Sequence, residues 1–113
     1  MATNLDRILA GLAVPARRQI VDHLRRGPRR AGELAVVCRL SLPAMSRHLR
    51  ALRQCGLVEG NGLEADARVR LYRLRPEPFG DLRAWLDDVQ AFWGGQLAAF
   101  KAHVERRKTG RRG

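Results

Sequence analysis

The side chains that could do chemistry in this chain fall into four groups. They are Ser41, Ser46, Arg47 and Arg50; the histidines His23, His48 and His103; the thiols Cys38 and Cys55; and the adjacent carboxylates Asp87 and Asp88. The carboxylates sit on neighbouring helical positions and diverge by about 100°, so they do not share a substrate. There is no glycine-rich phosphate loop, and no nucleophile with a base and an orienting acid at a recognisable spacing, so an enzyme is not expected. His23 and His103 have no ligand-spaced companions, and His48 beside Leu49 and Leu52 reads as a partly buried, hydrogen-bonding histidine. No Cys-x-x-Cys pair is present, and neither a metal nor a cofactor is expected. Cys38 and Cys55 read as small core residues, with a thiol switch as their other use. Arg47 and Arg50 remain. Their guanidinium forks match phosphate oxygens or the O6 and N7 edge of guanine, and a good bidentate base contact is worth about 1–3 kcal/mol of discrimination. A merely solvated face is the other reading of such a pair.

Those two arginines need a helix to present them. Ser41 is a good N-cap, Pro43 falls in the first turn, and Gly56 is a C-terminal stop, which predicts a helix running to about Cys55. Met45, His48, Leu49 and Leu52 form its inward stripe; Leu42, Pro43, Ser46, Arg47 and Arg50 face out. Before it, a short helix over residues 32–39 puts Leu34, Val37 and Cys38 on one side. Two helices precede that one. The first is capped by Thr3 or Asn4 and striped by Leu5, Ile8, Leu9 and Leu12; the second starts at Pro15 and carries Ile20, Val21 and Leu24. A short helix, a tight turn and a capped helix with an outward cationic face describe a helix-turn-helix. Leu57-Val58-Glu59 and Val69 to Leu74 are the plausible strands, joined by a long polar hairpin loop that starts at Gly60-Asn61-Gly62. In the second strand Val69 and Leu71 share one side, Tyr72 and Leu74 the other. Pro76 and Pro78 punctuate the chain before a last helix from about Phe79 to Glu105.

That last helix carries Leu82, Leu86, Val89, Trp93, Leu97, Phe100 and Val104 in alternating three- and four-residue steps. About 27 residues span roughly 40 Å, against a radius of gyration near 13 Å for a compact chain of this size. A stripe that outruns its own core is best buried against another copy, which predicts a two-fold dimer.

The 113 residues suit one domain, with 45% apolar and 29% charged residues. One domain is expected over residues 1–105, followed by a basic disordered tail at 106–113. The longest uncharged run, the 12 residues from Val89 to Phe100, is still below the roughly 20 apolar residues a bilayer requires. With no signal-peptide pattern and only two cysteines, a cytoplasmic protein without membrane attachment is expected. The formal charge is +11. It is uneven: residues 1–56 hold 11 arginines against 3 acids, and residues 57–100 hold 5 against 7. A field of that sign and placement suits a polyanion such as nucleic acid, because each neutralised phosphate releases condensed counterions. Solubility is the bland use of the same charge.

Several stretches together resemble the ArsR/SmtB-type winged-helix transcriptional repressors. They are Leu12 to Val21, Glu33-Leu34-Ala35, Leu40 to Leu49, Leu52 to Val58 and Arg70 to Leu74. The resemblance implies a mainly α fold with a small β-hairpin, a winged helix-turn-helix that dimerises through its first and last helices. It implies that the fourth helix enters the major groove of double-stranded DNA, with contacts from Ser41, Leu42, Pro43, Ser46, Arg47 and Arg50, and that the hairpin adds Arg68 and Arg70. Leu42 and Pro43 offer apolar contact to thymine methyls. Leu5, Leu9, Leu82, Leu86, Val89, Trp93, Leu97 and Phe100 would form the dimer interface. Metal sensors of that family carry a Cys-x-Cys pair in the third helix or Asp and His ligands in the last; here Cys38 stands alone and Asp88 is followed by Gln90, so the chain is similar to the branch without those sites. Acidic Glu59, Glu64 and Asp66 outnumber Arg68 and Arg70 in the wing, which makes its phosphate contribution small. A protein-interaction module docking through Trp85, Phe92 and Trp93 is the alternative function; the inducer is unknown.

Overall fold

The computed structural model describes residues 3–60 and 67–110. Helices α1 (Asn4–Leu12), α2 (Pro15–Leu24), α3 (Ala31–Val37), α4 (Leu42–Gln54) and α5 (Pro76–Gly110) alternate with strands β1 (Arg29–Arg30), β2 (Val58–Gly60) and β3 (Leu71–Leu74). The strands form one antiparallel sheet in the order β1-β3-β2. The chain divides into two compact units, Met1–Asp81 and Leu82–Gly113.

In the first unit, Thr3 rather than Asn4 caps α1. Its hydroxyl accepts the Asp6 N–H at 3.1 Å, while the Asp6 carboxylate accepts the Thr3 N–H at 3.0 Å. That exchange, the backbone bond above all, holds the Asp6 carboxyl below its ordinary range. Arg18 donates to the carbonyls of Leu12 and Ala13 at 2.8 and 3.1 Å, closing the end of α1 from the next helix. Gly11 is buried, and a Cβ there would lie 3.0 Å from Cys55 Sγ and 3.1 Å from Leu57 Cδ1. A side chain there would push the Cys55 and Leu57 side chains back by a few tenths of an ångström, so glycine suits the close approach of α1 to the end of α4. Ile8, Ile20, Leu34, Met45, Leu49, Leu52 and Leu57 are fully buried, one from α1, one from α2, one from α3, three from α4 and one just before β2. Helix α4 is thus fixed on its inner side by the centre of the core.

Two local expectations are corrected, the inner face of α3 and the start of the last strand, and one strand is added. In α3 the buried residues are Ala31, Leu34, Ala35 and Cys38, whereas Val37 is half exposed. Positions 31, 34, 35 and 38 follow the i, i+3, i+4, i+7 spacing of one helical face, and residue 37 lies off it. Strand β1 was not expected, because Arg29-Arg30 has no apolar alternation; it is held by backbone pairing, Arg29 opposite Tyr72 and Arg30 opposite Leu71. In β3 the inward residue is Tyr72, and Leu71 is exposed. The Tyr72 ring covers Gly60, where a Cβ would come within 2.7 Å of it. Val69 belongs to a 3-10 turn at Ala67–Val69 that precedes the strand.

Helix α5 begins three residues before the expected Phe79. Pro76 and Pro78 occupy its first turn, where a missing N–H has no intrahelical partner to lose. Asn4 Nδ2 donates to Asp81 Oδ2 at 3.0 Å, tying the first turns of α5 to the start of α1. In the second unit α5 passes through Gly94-Gly95 without a break and continues past Glu105 to Gly110, so residues 106–110 of the expected tail are helical. Residues 111–113 lie outside the described residues, as do Glu64 and Asp66 of the hairpin loop. Among the described residues no helix is long and apolar enough to cross a membrane.

Candidate nucleic-acid interface

Helix α4 starts sharply. Ser41 Oγ accepts the Ala44 N–H at 3.2 Å, and the Ser41 carbonyl accepts the Met45 N–H at 2.9 Å. The capping hydroxyl keeps its own proton to donate outward. Met45, Leu49 and Leu52 are buried, Leu42, Ser46 and His48 half-buried, and Pro43, Arg47 and Arg50 exposed. The structure therefore brings Pro43, Arg47 and Arg50 to the surface of one helix, with Leu42 and Ser46 at the edge of that face.

The charge pattern of the described residues is selective. Asp22 pairs with Arg25, Glu33 with Arg29, Glu59 with Arg73, Glu77 with Arg75 and Asp87 with Arg83. Neither Arg47 nor Arg50 has a hydrogen bond or ion pair to another described residue. Their charge is uncompensated and open to an external anion. In the wing, Arg73 Nε lies 2.6 Å from Glu59 Oε1 across the β2–β3 register, which neutralises one of the acids that weighed against a phosphate contact. Arg68 is exposed in the 3-10 turn, and its carbonyl oxygen lies 3.3 Å from where a Cβ on Gly32 would stand, so the turn rests on the start of α3. Arg70 is half-buried, and its carbonyl accepts the Ala31 N–H at 3.1 Å.

His48 is neither a ligand in a cluster nor a free base. Arg17 Nε of α2 donates to His48 Nδ1 at 3.4 Å. An Nδ1 that accepts leaves the proton of the neutral ring on Nε2. Burial, then the nearby Arg17 and Arg47 guanidiniums, hold the His48 pKa below its ordinary value, so the ring is neutral at physiological pH. Among the described residues, no three His, Cys, Asp or Glu side chains come together in a way that could hold a metal ion. Both thiols are free. Cys38 is buried, and burial pushes its thiol above the ordinary range, while Cys55 is half-buried at the C-cap of α4. A protonated thiol is a poor nucleophile.

Of the apolar residues assigned to a dimer, Leu5 is half-buried and Leu9 exposed on α1. On α5, Leu82 and Val89 are half-buried, whereas Leu86, Trp93, Leu97 and Phe100 are exposed, Phe100 to 66%. Trp85 and Phe92 are exposed as well, and the Phe92 and Trp93 rings meet edge to face at 6.4 Å. Two features escaped the sequence reading. One is Arg17, the partner of His48. The other is Arg39, in the turn between α3 and α4, which adopts a left-handed backbone with φ 56°.

Helix α3, a three-residue connection to the cap of α4, and an antiparallel hairpin behind them make a winged helix-turn-helix, a class of DNA-binding domain. Residues 14–60 match the pattern of the arsR family of bacterial regulatory proteins. The HTH-type transcriptional regulator Rv2034 of Mycobacterium tuberculosis is 38% identical over 100 residues, 88% of each chain. An ArsR-like transcriptional regulator from Rhodococcus sp. RHA1 superposes with a TM-score of 0.73 at 30% identity, covering 90% of this chain and 91% of that one. The homodimeric winged helix-turn-helix DNA-binding domain Mb0332 from Mycobacterium bovis superposes with a TM-score of 0.60 at 30% identity, covering 78% of this chain and 79% of that one. The chain belongs to the ArsR family of transcriptional regulators, and its winged helix-turn-helix is the DNA-binding domain.

Proposed function

We propose that the protein is a homodimeric repressor that recognises an imperfect palindrome through two copies of α4. The observation that carries this reading is Arg47 and Arg50, exposed and unpaired among the described residues, on a capped helix whose opposite side is locked into the core. Arg47 and Arg50 contact guanine edges or phosphates; Ser41 and Ser46 hydrogen-bond to base or phosphate; Leu42 and Pro43 meet thymine methyls. Arg68 and Arg70 add wing contacts to the backbone. The second copy is held by Leu5 and Leu9 of α1 and by the α5 stripe from Leu82 to Phe100; that a relative of the same fold is homodimeric supports pairing as such. Repression follows from occlusion of polymerase, relieved when a signal changes the angle between the two reading helices.

Two-fold symmetry sets the spacing of the half-sites at about one helical turn, roughly 34–36 Å, or a multiple of it. Footprinting the purified protein on the DNA upstream of its own gene tests the reading. Two protected half-sites at that spacing are expected; protection of a single unrepeated segment, or none, refutes it.

A further inference from the structure

Two helices of the first unit end in the same way and differ in one residue. At the end of α4, the Leu57 N–H donates to Leu52 O at 3.0 Å and the Gly56 N–H to Arg53 O at 3.0 Å, with Gly56 at φ 75°. At the end of α3, the Leu40 N–H donates to Ala35 O at 2.9 Å and the Arg39 N–H to Val36 O at 3.2 Å, with Arg39 at φ 56°. Both are the paired closing bonds of a Schellman motif, which needs a left-handed residue and ordinarily takes glycine there, because a Cβ crowds the backbone. The first site conforms. Arg39 does not, and it is the one non-glycine residue with positive φ among those described.

The two closing backbone bonds hold the turn, but among the described residues no side-chain contact of Arg39 offsets that strain. The Arg39 side chain is exposed, so packing does not hold it, and it makes no hydrogen bond or ion pair with another described residue. Its position is informative. It stands two residues ahead of the Ser41 cap, in the turn between the helix that crosses the DNA backbone in this class of domain and the helix that enters the groove. A cation at that turn meets the phosphates at the groove's edge. Backbone strain at a residue whose own side chain makes no contact to offset it points to a role for that side chain outside the folded chain.

We propose that Arg39 is a phosphate-binding residue of the protein–DNA complex, an anchor outside the reading helix that the left-handed turn presents to the backbone. This rests on the reading of α4 as the DNA-entering helix. Each neutralised phosphate steepens the dependence of log K on log salt by about 0.9, so two Arg39 residues per dimer contribute about 1.8 to the slope and about fivefold each to affinity at 0.15 M salt.

The experiment titrates operator DNA against the full chain, wild type, Arg39→Gly, Arg39→Asn and Arg39→Lys, at several salt concentrations, with thermal unfolding measured alongside. Glycine and asparagine fit the left-handed backbone, so both variants should keep or raise Tm, glycine by about 2 °C. Both should lose about 1.8 from the salt slope, and Arg39→Lys should retain it. A buried structural role would lower Tm in Arg39→Gly and overturns the proposal. An unchanged slope in Arg39→Gly, with a reduced slope in Arg47→Ala, overturns it while leaving the reading of α4 intact. An unchanged slope in both overturns that reading too.

Discussion

Replacing Trp93 with alanine should convert the protein from dimer to monomer at concentrations where the wild type is fully paired. The size of the effect follows from what the chain leaves uncovered. Trp93 is 59% exposed in the single chain and lies in the middle of the α5 stripe, flanked by exposed Leu97 and Phe100. A tryptophan with an accessible area on the order of 250 Å² then has roughly 150 Å² free to bury against a second copy. At about 25 cal/mol per Å² this is worth roughly 3.5 kcal/mol in each chain. Alanine would retain part of that, and interfaces desolvate incompletely, so the net loss is about 2 kcal/mol per chain and about 4 kcal/mol per dimer. A loss of that size weakens the dimer dissociation constant by about a thousandfold. Sedimentation equilibrium over a dilution series measures it directly. Residue 93 belongs to the second unit and is exposed, whereas Met45, Leu49 and Leu52 form the core of the first, so circular dichroism should show an intact helical content in the monomeric variant. A dissociation constant within about threefold of wild type would refute the assignment of α5 as the pairing surface.

Two other expectations concern the first unit. The folded chain holds His48 below its ordinary pKa of 6.5, so as pH falls through 6.5 the unfolded chain takes up a proton that the folded chain resists. The stability His48 contributes is therefore full above that pH and declines below it, and His48→Gln should narrow the difference in urea midpoint between pH 7.5 and pH 5.5; an unaltered difference contradicts the placement. Leu52→Ala removes a fully buried side chain from the inner face of α4 and should cost about 3–5 kcal/mol in urea unfolding, whereas a loss below about 1 kcal/mol would mean that α4 is not anchored there.

How much of this could be read beforehand depends on where each signal lies. Helix α4 was legible because its punctuation is local: Ser41 as the cap, Pro43 in the first turn, Gly56 after the end, and Met45, Leu49 and Leu52 at helical spacing. The start of α5 was misplaced because Pro76 and Pro78 read as breaks, although a first helical turn accepts proline freely. Strand β1 could not be seen, since two arginines pair through their backbones and carry no apolar pattern. The Arg17–His48 contact joins residues 31 positions apart, and no spacing rule reaches that far. The left-handed backbone at Arg39 was hidden for a related reason: without glycine or asparagine in the turn, nothing in the residue type announces it.

In the proposed reading, Arg47 and Arg50, which make no hydrogen bond or ion pair with another described residue, serve as contacts to duplex DNA in two copies at once. The most direct measurement is the affinity of the Arg47→Ala, Arg50→Ala double variant for the footprinted fragment at 0.15 M salt, with unfolding monitored on the same sample. Both side chains are exposed, so folding stability should stay within about 0.5 kcal/mol of wild type. Four guanidiniums are lost per dimer, and affinity should fall at least a hundredfold. A folded double variant that binds the fragment within about twofold of wild type would contradict the account.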